Sequence, residues 1–311
     1  MVSFLAQRLA GLVATLLAAV VLTFVANLFV PGDPITVMLG DQSSNRELAA
    51  KLRAEYGLER PVAEQFVSYV LGLLRGEMGL SFRFPGTKVS SVIADGLSIS
   101  PLIAGAALAL AIPIGIAVGV FAALRRGSFT DTGVMLALVI GLSIPNFALA
   151  TLFVWLFSIK LGWLPVAGWG RPVQAVLPIA LLAIPAAAYL ARLARTFMLE
   201  VLQQDYIRTA RAKGLSERLV VWRHGLRNVL LPILTVIGVI LGGLITGTFV
   251  VETSFNIPGL GRIAIQSIFA RDYPVTMGIV MLFTLVYALI NFIVDLLYGV
   301  IDPRVRAGAP R

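Results

Sequence analysis

Few side chains in this sequence are equipped for covalent or metal chemistry. It contains no cysteine, which removes disulfides, thiolate nucleophiles and zinc–thiolate sites. The single imidazole, His224, has no companion for a two-histidine metal site or a catalytic base pair, and it reads as a loop contact. None of the four lysines (Lys51, Lys88, Lys160, Lys213) precedes Ser or Thr, so no Walker A phosphate loop is present. Gly-x-Ser triplets begin at Gly79, Gly96, Gly141 and Gly214, and none continues into the x-Gly of a nucleophile elbow. Nothing here supports an intramembrane hydrolase. The expectation is a non-enzyme with no metal and no cofactor of its own.

The remaining chemistry is non-covalent. One basic stretch runs Asp205-Tyr206-Ile207-Arg208-Thr209-Ala210-Arg211-Ala212-Lys213-Gly214-Leu215-Ser216, a pattern suited to binding a protein surface or an anionic lipid. Leu199, Leu202, Tyr206 and Ala210 recur at helical intervals, so a short amphipathic helix is expected there. Gly214 can end it in the left-handed conformation, and Ser216 with Glu217 can start the next helix. A second set comprises polar residues inside apolar surroundings: Asn146, Thr246, Thr248, Glu252, Asn291 and Asp295. Such residues mark pathways through membranes, or bond one helix to another. Glu252 and the turn Pro258-Gly259-Leu260-Gly261 suit an outer gate, a docking surface or a tight connection. An unpaired carboxylate at Asp295 is costly in a membrane, and Arg192 and Arg195 lie at a comparable depth as candidate partners.

The elements that must position these residues are set by the distribution of charge. Hydrophobic residues make up 58% of the 311 and charged residues 13%, about half the usual share. Charge-free runs of 24, 29, 28, 20, 24 and 22 residues lie between Arg8 and Asp33, Asp95 and Arg125, Asp131 and Lys160, Arg171 and Arg192, Arg227 and Glu252, and Asp272 and Asp295. About 20 apolar residues span the hydrocarbon slab. The sequence therefore predicts an all-α polytopic bundle of six transmembrane helices. The first run is too long for a signal-peptide core and ends in Pro31-Gly32-Asp33-Pro34, a turn, so an uncleaved span is expected.

The formal charge of +9 is a topology signal and not a nucleic-acid footprint. With the N-terminus in the cytoplasm, cytoplasmic segments hold 14 Lys and Arg and the short external loops only four (Lys160, Arg171, Arg262, Arg271). Both termini are then cytoplasmic. The organisation expected is a first span over 1–32, an external helical segment over 33–95 and a five-helix core over 96–311 with a cytoplasmic loop at 197–228. In the external segment, Ser44-Asn45-Arg46-Glu47 has capping-box spacing, and a second, amphipathic helix carries Val62, Phe66, Val70 and Leu73 to Gly76. Pro113, Pro145, Pro178, Pro185 and Pro232, with glycines in the second and fifth runs, suit a closely packed bundle that bends.

The loop resembles the cytoplasmic motif of permeases in binding-protein-dependent ABC importers. Arg208-Thr209-Ala210-x-x-x-Gly214, followed by Leu231-Pro232, is similar to the Glu-Ala-Ala-x-x-x-Gly signature, with arginine and threonine in place of the first two residues. Those departures and Arg223-His224-x-Leu226-Arg227-Asn228 resemble the peptide/nickel branch. So do Pro31–Pro34, Tyr56–Pro61, Gly76–Ser81, Glu252–Gly261, Arg271–Pro274, and Asp295–Tyr298 with Asp302–Arg304. The long segment after the first span resembles the first of that branch's two permease types. The resemblance implies a partnership with a second homologous permease, two ATPase subunits that bind ATP and Mg²⁺, and an external solute-binding protein. It further implies that Asp205–Ser216 couples the bundle to an ATPase, and that the solute is a dipeptide, an oligopeptide, a nickel chelate or a related small molecule. The rival readings are an ion-coupled secondary transporter, with inverted repeats and buried carboxylates, and a structural membrane scaffold.

Overall fold

Long uninterrupted apolar runs favour helices, because in a bilayer every backbone polar group must be satisfied within its own segment. The computed structural model describes residues 2–30, 32–40 and 44–301 and is helical nearly throughout. Its helices are α1 (Val2–Leu28), α2 (Pro34–Leu39), α3 (Arg46–Glu55), α4 (Val62–Arg75), α5 (Val89–Leu97), α6 (Ser100–Leu124), α7 (Phe129–Ser143), α8 (Asn146–Phe153), α9 (Pro172–Leu202), α10 (Asp205–Ala212), α11 (Glu217–Leu219), α12 (Leu226–Ser254), α13 (Leu260–Phe269) and α14 (Tyr273–Ile301). π-helical turns continue α8 through Val154–Lys160 and join α11 to α12 through Val220–Gly225. Among the described residues, extended pairing is limited to one antiparallel bridge, Leu80 with Lys88. Pro31, the Asp295 side chain and the Asp302–Arg304 stretch of the resemblance lie outside the described residues.

Five segments are long and apolar enough to cross a membrane: Ala6–Leu28, Val89–Leu124, Pro172–Leu202, Glu217–Ser254 and Tyr273–Val294. The remaining expected span is broken. Phe129–Ser143 and Asn146–Lys160 meet at a bend of 101°, and they make a sixth span if counted together. Proline causes the break. The ring of Pro145 disfavours the helical conformation at the preceding residue, and Ile144 is extended (φ −83°, ψ 122°), which ends α7 and starts α8.

The chain folds as two compact units. The first comprises Pro101–Ile257 with residues 2–5 and 290–301, and holds α6 to α12. Here α9 is the central helix, packed against α7, α8 and α12. Small residues bring backbones together. A Cβ added at Gly115 would lie 2.6 Å from Leu190 Cβ and 2.8 Å from the Ala187 carbonyl, and one at Gly119 would strike the Ala191 carbonyl.

The second unit comprises Ala6–Ser100 and Pro258–Leu289. Asn45, and not Ser44, caps α3, because the Asn45 side chain accepts from the Leu48 amide at 3.1 Å. Gly76 ends α4 in the left-handed conformation (φ +75°) as expected. The amphipathic α4 packs on α1: Phe66 meets Phe24 edge-on at 5.1 Å, and Tyr69 stacks on the same ring at 6.2 Å. Asp272, 1% exposed, pins the segment after α4 to the start of α14. Its carboxylate accepts from the Ser81 hydroxyl, the Phe82 amide at 3.0 Å and the Arg83 amide at 3.2 Å. Ser100 Oγ likewise accepts from the Leu260 amide at 2.8 Å, holding the start of α13.

Candidate functional site

The basic stretch folds as helix, turn, helix, but the expected apolar stripe is divided: Leu199 and Leu202 belong to α9, and on α10 Ile207 rather than Tyr206 is buried beside Ala210. The chain leaves α9 at Gln203–Gln204, where Gln204 is extended, and re-enters helix at Asp205. An acid in the first turn (Asp205) and a base in the last (Arg211) complement the α10 dipole. Ile207 and Ala210 are buried with Val220, and Val201, Leu202 and Leu215 pack around them. That small core clamps one face of α10 to its own chain. The opposite face is turned outward: Tyr206 is 43% exposed, and Arg208, Thr209 and Lys213 are exposed beside it. The Tyr206 hydroxyl bonds the Asn228 side chain, and burial of the ring raises its pKa above the ordinary phenol value.

Gly214 turns the chain with φ +74°, its amide donating to the Arg211 carbonyl at 2.9 Å and the next amide, Leu215, to Ala210 at 3.4 Å. Arg211 braces the turn through Glu217, with Nε to Oε2 at 3.1 Å and Nη2 to Oε1 at 2.5 Å. Arg208 and Asp205 pair at 3.4 Å on exposed side chains, which adds little stability and leaves the guanidinium available to a partner. Ser216 sits at the start of α11 without a side-chain cap bond. His224 is part of the π-helical turn, and its carbonyl accepts from the Asn228 amide group at 2.8 Å.

The polar membrane residues do not converge on one place. Asn146, at the first position of α8, lines a cavity of about 270 Å³ together with Pro185 and Tyr189 of α9 and Gly243 and Gly247 of α12. A Cβ at Gly247 would lie 2.8 Å from the Leu182 side chain, so the glycine sets how closely α9 and α12 approach there. Thr248 is buried and donates to the Ile245 carbonyl at 2.7 Å. Thr246 is exposed and bonds its own helix at Gly242. Glu252 is fully buried near the end of α12, where its carbonyl receives the Ile257 amide at 2.8 Å. Asn291 is half-buried on α14.

Two groups escaped the sequence reading. Tyr189 faces the cavity with no signal beyond its aromatic character. Asp131, at the start of α7, grips Arg195 of α9 in a bidentate pair: Nε to Oδ1 and Nη2 to Oδ2, each at 2.7 Å. Asp131 is 4% exposed, and the Gly127 amide adds a third bond at 3.0 Å. Arg195, offered above as a partner for Asp295, is therefore engaged by Asp131, and Arg192 lies over the Tyr189 ring at 5.6 Å.

Comparison with known proteins gives this arrangement its family. Residues 115–307 match the family described as binding-protein-dependent transport system inner membrane component, and residues 1–85 match the N-terminal region of such components. Over 306 residues the chain is 39% identical to the dipeptide transport system permease protein DppB of Bacillus subtilis (strain 168), covering 98% of each. It is 42% identical over 314 residues to a putative peptide transport system permease of Brucella abortus (strain 2308), covering 98% of this chain and 99% of that one. It is 40% identical over 306 residues to the glutathione transport system permease GsiC of Pectobacterium atrosepticum, again covering 98% and 99%. Among solved structures, the inward-facing MetNI methionine ABC transporter shares the fold, with TM-score 0.58, 21% identity, and coverage of 68% of this chain and 97% of that one. The ion-coupled secondary transporter finds no support among these relatives. With its membrane-crossing helices and full-length likeness to permeases, the chain belongs to the inner-membrane components of binding-protein-dependent transport systems, the multi-pass permease subunits of ABC importers that leave ATP hydrolysis to separate subunits.

Proposed function

We propose that this permease forms, with a second homologous permease, the route by which dipeptides or related short peptides enter the cell. An external binding protein delivers the solute, and two ATPase subunits holding ATP and Mg²⁺ dock on the cytoplasmic side. The peptide assignment rests on relatives named for dipeptide, peptide and glutathione transport. The cytoplasmic placement of α10 and of both termini rests on the concentration of Lys and Arg in the segments those loops share.

The observation that carries the mechanism is the two-faced α10. Ile207 and Ala210 fix it to α9 and the α11 region, while Tyr206, Arg208, Thr209 and Lys213 project outward. Force applied to the outer face then passes into α9, the helix that packs against α7, α8 and α12 and lines the Asn146–Tyr189 cavity. ATPase closure and opening bias the bundle between two packed states, a rigid-body switch. Reconstitution tests the reading. Proteoliposomes holding the permease pair, both ATPases and the binding protein should take up dipeptide only with internal ATP, and this chain alone should neither hydrolyse ATP nor transport. Dipeptide uptake by the lone chain under an ion gradient contradicts it.

A further inference from the structure

The second unit contains a half-open cavity of about 600 Å³ between the C-terminal end of α1, α3, α4 and the first turn of α14. Its wall is mainly apolar, with Phe24, Leu28, Phe82 and Met277 contributing. Two phenols stand out. Tyr69 of α4 and Tyr273 of α14 both line the cavity, and both hydroxyl oxygens are buried with no hydrogen-bond partner among the described residues. Three neighbouring polar side chains are satisfied: Tyr56 donates to the Ser81 carbonyl at 3.1 Å, Gln65 to the Arg60 carbonyl at 2.8 Å and Asn27 to the Thr23 carbonyl at 2.9 Å. Nor are the two rings free to swing away. Tyr69 stacks on Phe24, and Tyr273 sits edge-on to Phe82 at 6.0 Å.

Buried donors without acceptors are costly and point to a ligand that completes them. Burial pushes the Tyr69 phenol up to about 12, so it remains a donor across the physiological range. The missing chemistry is a pair of acceptor oxygens on a mostly apolar molecule. Location narrows the class. The cavity lies at the C-terminal end of a membrane-crossing helix, and the neighbouring surface is apolar and exposed, with Leu22 of α1 69% and Phe29 just beyond it 81% accessible. Arg60, also in the lining, is exposed and supplies a cation, and the Glu55 and Glu77 carboxylates line the same rim.

We propose that this cavity holds a glycerophospholipid, with an acyl chain along Phe24, Leu28 and Met277, ester oxygens accepting from Tyr69 and Tyr273, and the phosphodiester beside Arg60. The proposal rests on α1 crossing the bilayer and is independent of the cargo and of ATPase docking. Lipid retention is measured without transport, so its failure and a failure of the transport reading are distinguishable.

The test uses the full chain extracted in mild detergent, washed, and analysed for bound phospholipid by mass spectrometry, then titrated with phosphatidylglycerol or phosphatidylethanolamine in mixed micelles. The wild type should retain phospholipid and gain thermal stability on its addition. Tyr69→Phe with Tyr273→Phe, which removes only the two hydroxyls, should weaken binding on the order of tenfold. Ser68→Trp, which fills the space from an exposed position on α4, should reduce retention while leaving both hydroxyls in place. Equal retention by the wild type and the double Phe variant overturns the proposal. So does a wild type that holds no lipid above the micelle background, since the cavity then contains only water. Hydroxyl-dependent binding of a dipeptide or of inorganic phosphate, without phospholipid binding, makes it a solute site and also overturns the proposal.

Discussion

At the scale of single residues, Gly214 and the Asp131–Arg195 pair govern different things. Nothing lies within 4 Å of a Cβ built at Gly214, so substitution there acts through the backbone alone. A β-branched residue at φ +74° costs on the order of 1–2 kcal/mol and re-aims α10. Gly214→Val should therefore leave membrane insertion and permease pairing intact, yet lower the binding-protein-stimulated ATPase rate several-fold. Insertion and pairing are read by blue-native gels, and coupling by ATP hydrolysis in proteoliposomes; a silent Gly214→Val would favour a basic loop resting on lipid. Asp131 and Arg195 answer to stability instead. Breaking this part-buried bidentate pair from one side leaves a charge uncompensated. Asp131→Asn and Arg195→Gln should each lower the melting temperature, and the double variant should lose much less than the sum of the two. Additive losses would remove the pair from the account. Neither partner's role was legible in the sequence. Asp131 marked only the end of an apolar run, and its bond to a residue 64 positions away has no signature in spacing.

At the scale of elements, the spans were legible because charge-free runs record the thickness of the bilayer directly. Their interruptions were not. Pro145 was visible as a kink, but the 101° bend depends on Ile144 adopting the extended conformation, and tertiary packing decides that. The same distinction explains the cap of α3, where Ser44 and Asn45 compete within one residue and only local geometry selects Asn45. The end of α10 was readable from Gly214, but its buried face was not: the expected stripe of Leu199, Leu202, Tyr206 and Ala210 is split by the end of α9 at Leu202, and Ile207 rather than Tyr206 is buried beside Ala210. The clamp beneath it was only half visible, since Val220 lies beyond the turn. Two substitutions test the packing. Gly119→Val in α6 must displace the α9 backbone at Ala191, and overpacking of this kind costs typically 1–3 kcal/mol, read as a lower melting temperature in detergent. Asp272→Ala orphans the Phe82 and Arg83 amides, and should make residues 76–89 the first site of limited proteolysis while α9 to α12 stay protected.

At the scale of the whole molecule, a chain with no nucleotide-binding loop must receive its energy through a surface, and the proposed surface is α10, rigidly backed and outwardly basic. Solute chemistry was not legible from the permease residues, because the Asn146–Tyr189 cavity offers an amide and a phenol but no charged group to select a cargo. The absence of native cysteine makes the contact directly measurable. Single cysteines placed from Tyr206 to Ser216, in a transport-competent complex with its ATPases, can be crosslinked to cysteines on the ATPase. A periodic pattern is expected: strong crosslinks from positions 206, 208, 209 and 213, and none from 207 and 210, which face the α10 clamp. If no position in that window crosslinks to the ATPase while the complex still imports dipeptide, α10 is not the coupling element.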